Sequence, residues 1–172
     1  MFIILCAQFQ LEKNYGISID KVKEGIQKFE LSKNRMEIIN KNGITIINDC
    51  YNANFDSMKA SIGSLAKMEG KRKIAVLGDM LELGDYSKSL HYNVGLEVVK
   101  NNIDVLVTVG TEAKNIANAA KAEGMNSDDI HKFENNKDAV NALKSILSDG
   151  DVALIKASNG MKFIEIVNEL KS

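Results

Sequence analysis

Short, nearly uninterrupted apolar runs alternate along this chain with segments whose apolar residues recur at helical spacing, and that alternation constrains the fold more than any other feature. The runs are Ile44 to Asn48, Ile74 to Leu77, Val105 to Val109, a weaker one at Ile130 to Phe133, and Val152 to Ala157. Strands read this way when both of their faces are covered. Between them, Met58, Ile62 and Leu65 mark one helix, Leu90, Val94 and Val98 a second, Ile116 with Ala119 and Ala120 a third, and Val140, Leu143 and Leu147 a fourth. Met161, Ile164, Val167 and Leu170 form a closing helical stripe. The pattern predicts an α/β fold: a doubly wound, Rossmann-like, mostly parallel sheet, built by right-handed crossovers with helices on both faces. Met36 to Asn40 is joined to Ile44 to Asn48 by Lys41-Asn42-Gly43, and Asn-Gly is a hairpin signal, so the first two strands are expected to be antiparallel. Proline is absent, leaving Gly, Asn, Asp and Ser to make every break.

The pattern changes near residue 35. Before it lie two helix-like segments, roughly 2 to 14 and 19 to 29, the second with Val22, Ile26 and Phe29 behind a Ser18 to Asp20 start signal. Two helices cannot make a core alone, and a chain of this length is one ordinary domain, or one domain with a fragment of another attached. The apolar run Met1 to Ala7 has no basic leader and is about half of the ~15–20 residues a membrane span needs, so a packed helix is the expectation. A lipoprotein signal is rejected because bulky Leu5 precedes Cys6.

With 172 residues and 45% hydrophobic content, the chain holds enough apolar material for one core. Its 22 basic and 23 acidic side chains nearly cancel, so no long-range field favours nucleic acid or a membrane surface. Lys71-Arg72-Lys73 reads as a solvated lead-in to a strand. Cys6 and Cys50 lack metal-ligand spacing and suit a reducing compartment, the cytoplasm.

The chemistry concentrates where Ile46-Ile47 breaks into Asn48-Asp49-Cys50-Tyr51-Asn52-Ala53-Asn54. A buried strand has no structural reason to end in so many hydrogen-bonding side chains unless they face something outside the core. In a parallel sheet all strand-to-helix loops emerge at one edge, where ligands bind. Here those loops are Asp49 to Asn54, Gly78 to Gly84, Gly110-Thr111-Glu112 and Lys156 to Gly160. Gly110-Thr111 reads as a turn and helix cap, with Thr111 the N-cap. The first two carry an excess of polar groups, which points to a site. The chain has no G-x-x-x-x-G-K-[ST], G-x-G-x-x-G or G-x-S-x-G, and no complete catalytic constellation or metal-ligand set. His91 reads as a half-buried packing histidine and His131 as exposed.

Phe29 to Glu37, Asn48 to Asn54, Asp56-Ser57-Met58 and Val76 to Gly84 together resemble the Mur ligases, the amide-forming ligases of bacterial peptidoglycan synthesis. His91 with Val94-Gly95, Val109-Gly110 and Lys156-Ala157-Ser158 continue the resemblance, which runs in order from about residue 17 to residue 172. It implies a three-domain enzyme, of which this chain holds the third domain, in residues 34–172, and the last helices of the central one, in residues 1–33. The family's first domain binds a uridine nucleotide; its central domain binds most of the ATP and magnesium through a phosphate loop and a modified lysine. The chain is then a fragment, inactive alone, and Met1 to Tyr15 departs enough to suggest an altered start.

The resemblance also implies a reaction and partners. The carboxylate of UDP-N-acetylmuramoyl-tripeptide is phosphorylated by ATP and then attacked by the amine of D-alanyl-D-alanine. The third domain closes over the nucleotide and holds the dipeptide. By the same resemblance, Arg35 neutralises phosphate charge and Asp49, Tyr51, Asn52 and Asn54 lie near the nucleotide, while Asp79, Met80, Leu81, Lys156 and Ser158 face the dipeptide. Two plainer readings compete: Asp49 as a helix N-terminal carboxylate, and Lys156, otherwise a partner for the dipeptide carboxylate, as a solvated strand end. Two departures from the family pattern are Phe55, where proline is frequent, which is expected to loosen the turn, and Asn159, where arginine is common. Outside the ligase reading, the alternatives are a stand-alone module binding a nucleotide or amino acid at the same rim, and a structural role with the apolar terminus mediating dimerisation.

Overall fold

The expected strands form one sheet. A computed structural model describes residues 34–172 together with Asp20, Lys21 and Glu24, which are helical. The remaining positions of the two expected N-terminal helices, and Cys6, lie outside the described residues. The chain separates into two compact units, Met1–Ser32 and Lys33–Ser172, and the second is described below.

Its strands are β1 (Glu37–Lys41), β2 (Ile44–Asn48), β3 (Lys73–Gly78), β4 (Val105–Val109), β5 (Ile130–Phe133) and β6 (Val152–Lys156), in the order β1-β2-β6-β3-β4-β5. The hairpin of β1 and β2 is antiparallel, with Ile38 opposite Ile47, and Asn42 and Gly43 take the left-handed backbone that a tight turn requires. All other pairings are parallel. The helices are α1 (Phe55–Lys67), α2 (Ser87–Lys100), α3 (Lys114–Ala122), α4 (Asn136–Ile146) and α5 (Ile164–Lys171).

Handedness decides which helix covers which face. The connections β2-α1-β3, β3-α2-β4 and β4-α3-β5 all advance across the sheet in one direction, so right-handed crossovers put α1, α2 and α3 on one side. The return from β5 to β6 runs the other way and puts α4 on the opposite side, where α5 joins it. Strand side chains alternate accordingly. Ile47, Ala75, Leu77, Leu106 and Leu154 pack with Met58, Ile62, Leu65, Val94, Val98 and Ile116. Ile46, Ile74, Val76, Val107 and Ile155 pack with Val140, Leu143, Phe163, Ile166 and Val167.

Several local expectations change. The closing stripe is interrupted because Lys162 has a left-handed backbone, so Met161 lies in a separate 3-10 turn (Asn159–Met161), and the buried residues of α5 are Ile166 and Val167. In α2 His91 is fully buried, while Leu90 is half-buried. His131 is half-buried, not exposed, within β5. The basic lead-in is not merely solvated: the Arg72 guanidinium donates from Nε and Nη2 to the Asp151 carboxylate at 3.0 and 2.6 Å and from Nη2 to the Ile146 carbonyl at 2.8 Å.

Candidate functional site

Three neighbouring strands, β2, β6 and β3, deliver their carboxyl ends to the same rim, and the chain skips over β6 when it passes from β2 to β3. A gap between diverging connections at such a place is where open α/β sheets take ligands. The rim begins with Asn48, whose amide donates to Asn34 Oδ1 at 3.0 Å and to Glu37 Oε2 at 2.7 Å, and so ties the 34–37 segment to the end of β2. Asn34 and Met36, on either side of Arg35, both have left-handed backbones. Tyr51 N–H donates to the Asn34 carbonyl at 3.1 Å, and the Arg35 guanidinium lies over the Tyr51 ring, 4.1 Å from its centre. Both side chains are exposed, so a cation stacked on an aromatic face is presented at the rim.

Beneath them lies a buried charge pair. Lys156 Nζ donates to Asp49 Oδ2 at 2.6 Å and to the Asn52 carbonyl at 3.1 Å, with its side chain 2% exposed. The same Asp49 oxygen accepts from Ser61 Oγ at 2.7 Å, and Oδ1 accepts from Met36 N–H at 3.3 Å. Asp49 is therefore not a helix cap, and Lys156 is not a solvated strand end. The cap of α1 is Asn54, whose side chain accepts from Ser57 N–H at 2.9 Å while Ser57 Oγ accepts from Asn54 N–H at 3.0 Å. This reciprocal pair holds the turn that Phe55 was expected to loosen. Cys50 is closed off from chemistry: burial, with the neighbouring Asp49 carboxylate, pushes its thiol up to about 12.

Two cavities open at this rim. The first, about 260 Å³, is lined by Arg35, Asp49, Tyr51, Asn52, Asn54 and Lys156, with Ala53 and Ser57. The second, about 560 Å³, shares the wall Tyr51 to Asn54 and adds Leu81, Glu82, Leu83, Ser158, Asn159 and Gly160. The five residues expected on the nucleotide side all line the first cavity. Of those expected on the dipeptide side, Leu81 and Ser158 line the second, Lys156 lines the first, and Asp79 and Met80 line neither.

The reason lies in their partners. Both Asp79 oxygens accept backbone N–H groups at the start of α3, from Ala113 at 2.7 Å and Thr111 at 3.2 Å. Asp79 thus caps that helix from a neighbouring loop, the task expected of Thr111, and Gly110 is required because a side chain there would occupy the space of the carboxylate. The Met80 side chain is buried and its N–H donates to His91 Nε2 at 2.9 Å. Ser158 Oγ accepts from Leu81 N–H at 2.9 Å, binding the β3 loop to the β6 loop.

Sequence reasoning named neither Ser57 nor Ser61 as a site residue, and took Glu82 only as part of the Gly78 to Gly84 loop. Asn54-x-x-Ser57 is a legible capping pattern, and Ser61 follows Ser57 by one helical turn. The Glu82 backbone is left-handed, with φ 64°, which no residue pattern announces for a glutamate.

The donor set fits an anionic, aromatic ligand in the first cavity: a permanent cation, an exposed ring and amide side chains. It does not fit a metal. Among the described residues no three His, Cys, Asp or Glu side chains converge. Fold and rim together define a doubly wound α/β domain with two adjoining cavities at the carboxyl ends of its strands.

Residues 34–159 match the family domain described as "Mur ligase, glutamate ligase domain", and the chain belongs to the Mur ligase family. It is 38% identical over 158 residues to the UDP-N-acetylmuramoyl-tripeptide–D-alanyl-D-alanine ligase of Bacillus subtilis (strain 168), a match covering 91% of this chain and 34% of that protein. The crystal structure of MurF from Acinetobacter baumannii superposes with a TM-score of 0.78 at 26% identity, over 94% of this chain and 35% of the other. MurF from Thermotoga maritima, solved in complex with ADP, shares the fold at a TM-score of 0.74 and 24% identity, over 94% of this chain and 35% of its own. The chain spans about a third of the length of these relatives.

Proposed function

We propose that this chain is the C-terminal domain of an ATP-dependent cytoplasmic ligase that adds D-alanyl-D-alanine to UDP-N-acetylmuramoyl-tripeptide in peptidoglycan synthesis. Residues 1–33 are then the end of the ligase's central domain. The observation that carries the reading is the pair of adjoining cavities with a common wall, one presenting cations and an aromatic face, the other presenting amides, a serine hydroxyl and apolar side chains. An amide-forming ligase must hold an activated carboxyl beside an incoming amine, and two subsites divided by four residues suit that task.

In this reading the Arg35 guanidinium, braced on Tyr51, meets the phosphates, and Asn52 and Asn54 border the nucleotide. Lys156 and Asp49 form the floor of the same cavity, with the lysine head fixed by the carboxylate and by the Asn52 carbonyl. The dipeptide occupies the second cavity between Leu81 and Ser158. ATP supplies the activation of the tripeptide carboxyl, and magnesium is held mainly by the central domain. Asp79 and Met80 act through the loop they anchor. No phosphate loop occurs in the 172 residues, so the chain alone is expected to make no product. No described helix is long and apolar enough to cross a membrane.

The test is a chimera in which residues 34–172 replace the matching C-terminal third of the Bacillus subtilis relative. Supplied with ATP, magnesium, the muramoyl tripeptide and D-alanyl-D-alanine, it is expected to form pentapeptide, and Arg35→Ala in it is expected to lower kcat/KM about a hundredfold or more. A folded chimera that consumes no dipeptide, or an isolated chain that makes pentapeptide unaided, overturns the proposal.

A further inference from the structure

One buried histidine lies outside the site and faces its loop. His91 is fully buried on the inner side of α2, in line with Val94 and Val98, where an aliphatic side chain would meet the packing requirement. Its ring instead joins two backbone groups. Nδ1 lies 2.8 Å from the Ser87 carbonyl, one turn back in the same helix, and Nε2 accepts from Met80 N–H at 2.9 Å. A carbonyl can only accept, so Nδ1 carries the hydrogen and Nε2 is left as the acceptor the loop needs. The tautomer is therefore set by the helix and read by the loop.

That N–H comes from the first residue of the β3 loop whose side chain turns into the core. After it the chain turns outward through Leu81, Glu82 and Leu83, which form the far wall of the second cavity. The wall is held in an unusual form, since Glu82 and Gly84 both have left-handed backbones. Its other attachments flank the histidine: Ser158 N–H donates to the Asp79 carbonyl at 3.1 Å and Leu81 N–H to Ser158 Oγ. Behind the histidine, Ser87 Oγ donates to Glu112 Oε2 at 2.9 Å, so the β4 loop braces the start of α2. Without His91, the Met80 N–H would be buried with no acceptor, and the loop could satisfy it only by moving.

We propose that His91 is a positioning residue for the second cavity: by accepting the Met80 N–H it fixes Leu81, Glu82 and Leu83 against the D-alanyl-D-alanine subsite. The inference rests on the proposed assignment of that cavity to the dipeptide. It differs from a packing role in its consequence, because packing predicts lost stability everywhere and positioning predicts a displaced wall.

The full 172-residue chain, titrated with D-alanyl-D-alanine and separately with ADP while backbone amides are followed by NMR, separates the two. For His91→Leu, Met80 amide exchange is expected to speed up at least tenfold relative to the slow core amides. Dipeptide affinity is expected to fall about tenfold and ADP affinity to stay within about twofold. His91→Gln, whose side-chain carbonyl can take the same N–H, is expected to recover most of the dipeptide affinity. Unchanged dipeptide affinity and Met80 protection in His91→Leu overturn the inference alone. So does an equal rise in exchange at every amide with both ligands weakened together. A wild-type chain that shows no dipeptide-induced shift at Leu81 to Leu83, while ADP shifts the Arg35 side, overturns the dipeptide assignment and this inference with it.

Discussion

Lys156 and Asp49 are the clearest case among the described residues of a charge pair held largely out of solvent. The pair is buried, so its attraction offsets a large desolvation cost only while every partner is present. Lys156→Met removes the ammonium and leaves Asp49 with one hydroxyl and one N–H. Such a change costs about 3–5 kcal/mol in buried pairs, far more than the ~0–1 kcal/mol of an exposed one. The expected result in urea unfolding is a loss near the lower end of that range for Lys156→Met, with Asp49→Asn/Lys156→Met closer to wild type than the single change. A loss under about 1 kcal/mol in the single variant would show that solvent relieves the site. At this scale the sequence was legible in kind but not in direction. The polar excess of Asp49 to Asn54 marked the cavity wall, whereas the partners of Asp79, Met80 and Lys156 come from residues 34, 11 and 107 positions away, and no local pattern encodes such pairings.

Elements were more legible than their contacts, because strand and helix periodicity is local and helix phase near a break is not. The apolar runs located all five strands assigned from them, including weak β5, and Asn42-Gly43 located the hairpin. The closing helix was misread because Lys162 inserts a left-handed residue between two stretches that share one apolar spacing. Two glycines inside helices show how contact overrides propensity. Gly→Ala in a helix interior gains up to about 1 kcal/mol from propensity. At Gly63 of α1 an added methyl would meet only Asn101 Oδ1, at 3.9 Å, so propensity wins and Gly63→Ala is expected to raise Tm. At Gly95 of α2 the methyl would collide with the Ile116 carbonyl and reach Ala119 Cβ at 2.6 Å, both in α3. Overpacking costs about 1–3 kcal/mol, enough to reverse the sign, so Gly95→Ala is expected to lower Tm. Two scans by calorimetry decide it, and equal shifts at both positions would mean that the helices separate without cost.

Across the whole domain, the two cavities and the Arg72–Asp151 ion pair occupy opposite ends of the strands. The cavities lie beyond the carboxyl ends of β2, β3 and β6, while Arg72 and Asp151 stand just before β3 and β6 and join them to the end of α4 through Ile146. Burial works against the Asp151 charge, but hydrogen bonds from Arg72 and from Ser148 N–H outweigh it and hold this carboxyl below its ordinary value of 3.8. The unfolded chain therefore binds that proton at a higher pH than the folded one. The stabilisation from this group is complete above the ordinary value and is lost as pH falls through the lower folded one. Asp151→Asn removes the charge in both states. At pH 7 it is expected to cost about 1.5–3 kcal/mol, nearer the lower figure because Arg72 is partly exposed. The gap to wild type should narrow progressively below about pH 4. Urea midpoints measured from pH 7 down to pH 3 read this directly, and a gap that stays constant over that range would show that Asp151 titrates alike in the folded and unfolded chains. Ligand titrations on the same variant at pH 7 are expected to match wild type for ADP and dipeptide alike, since neither cavity touches this end of the sheet. A loss of either affinity with the fold intact would mean that strain passes along β3 and β6 to the rim.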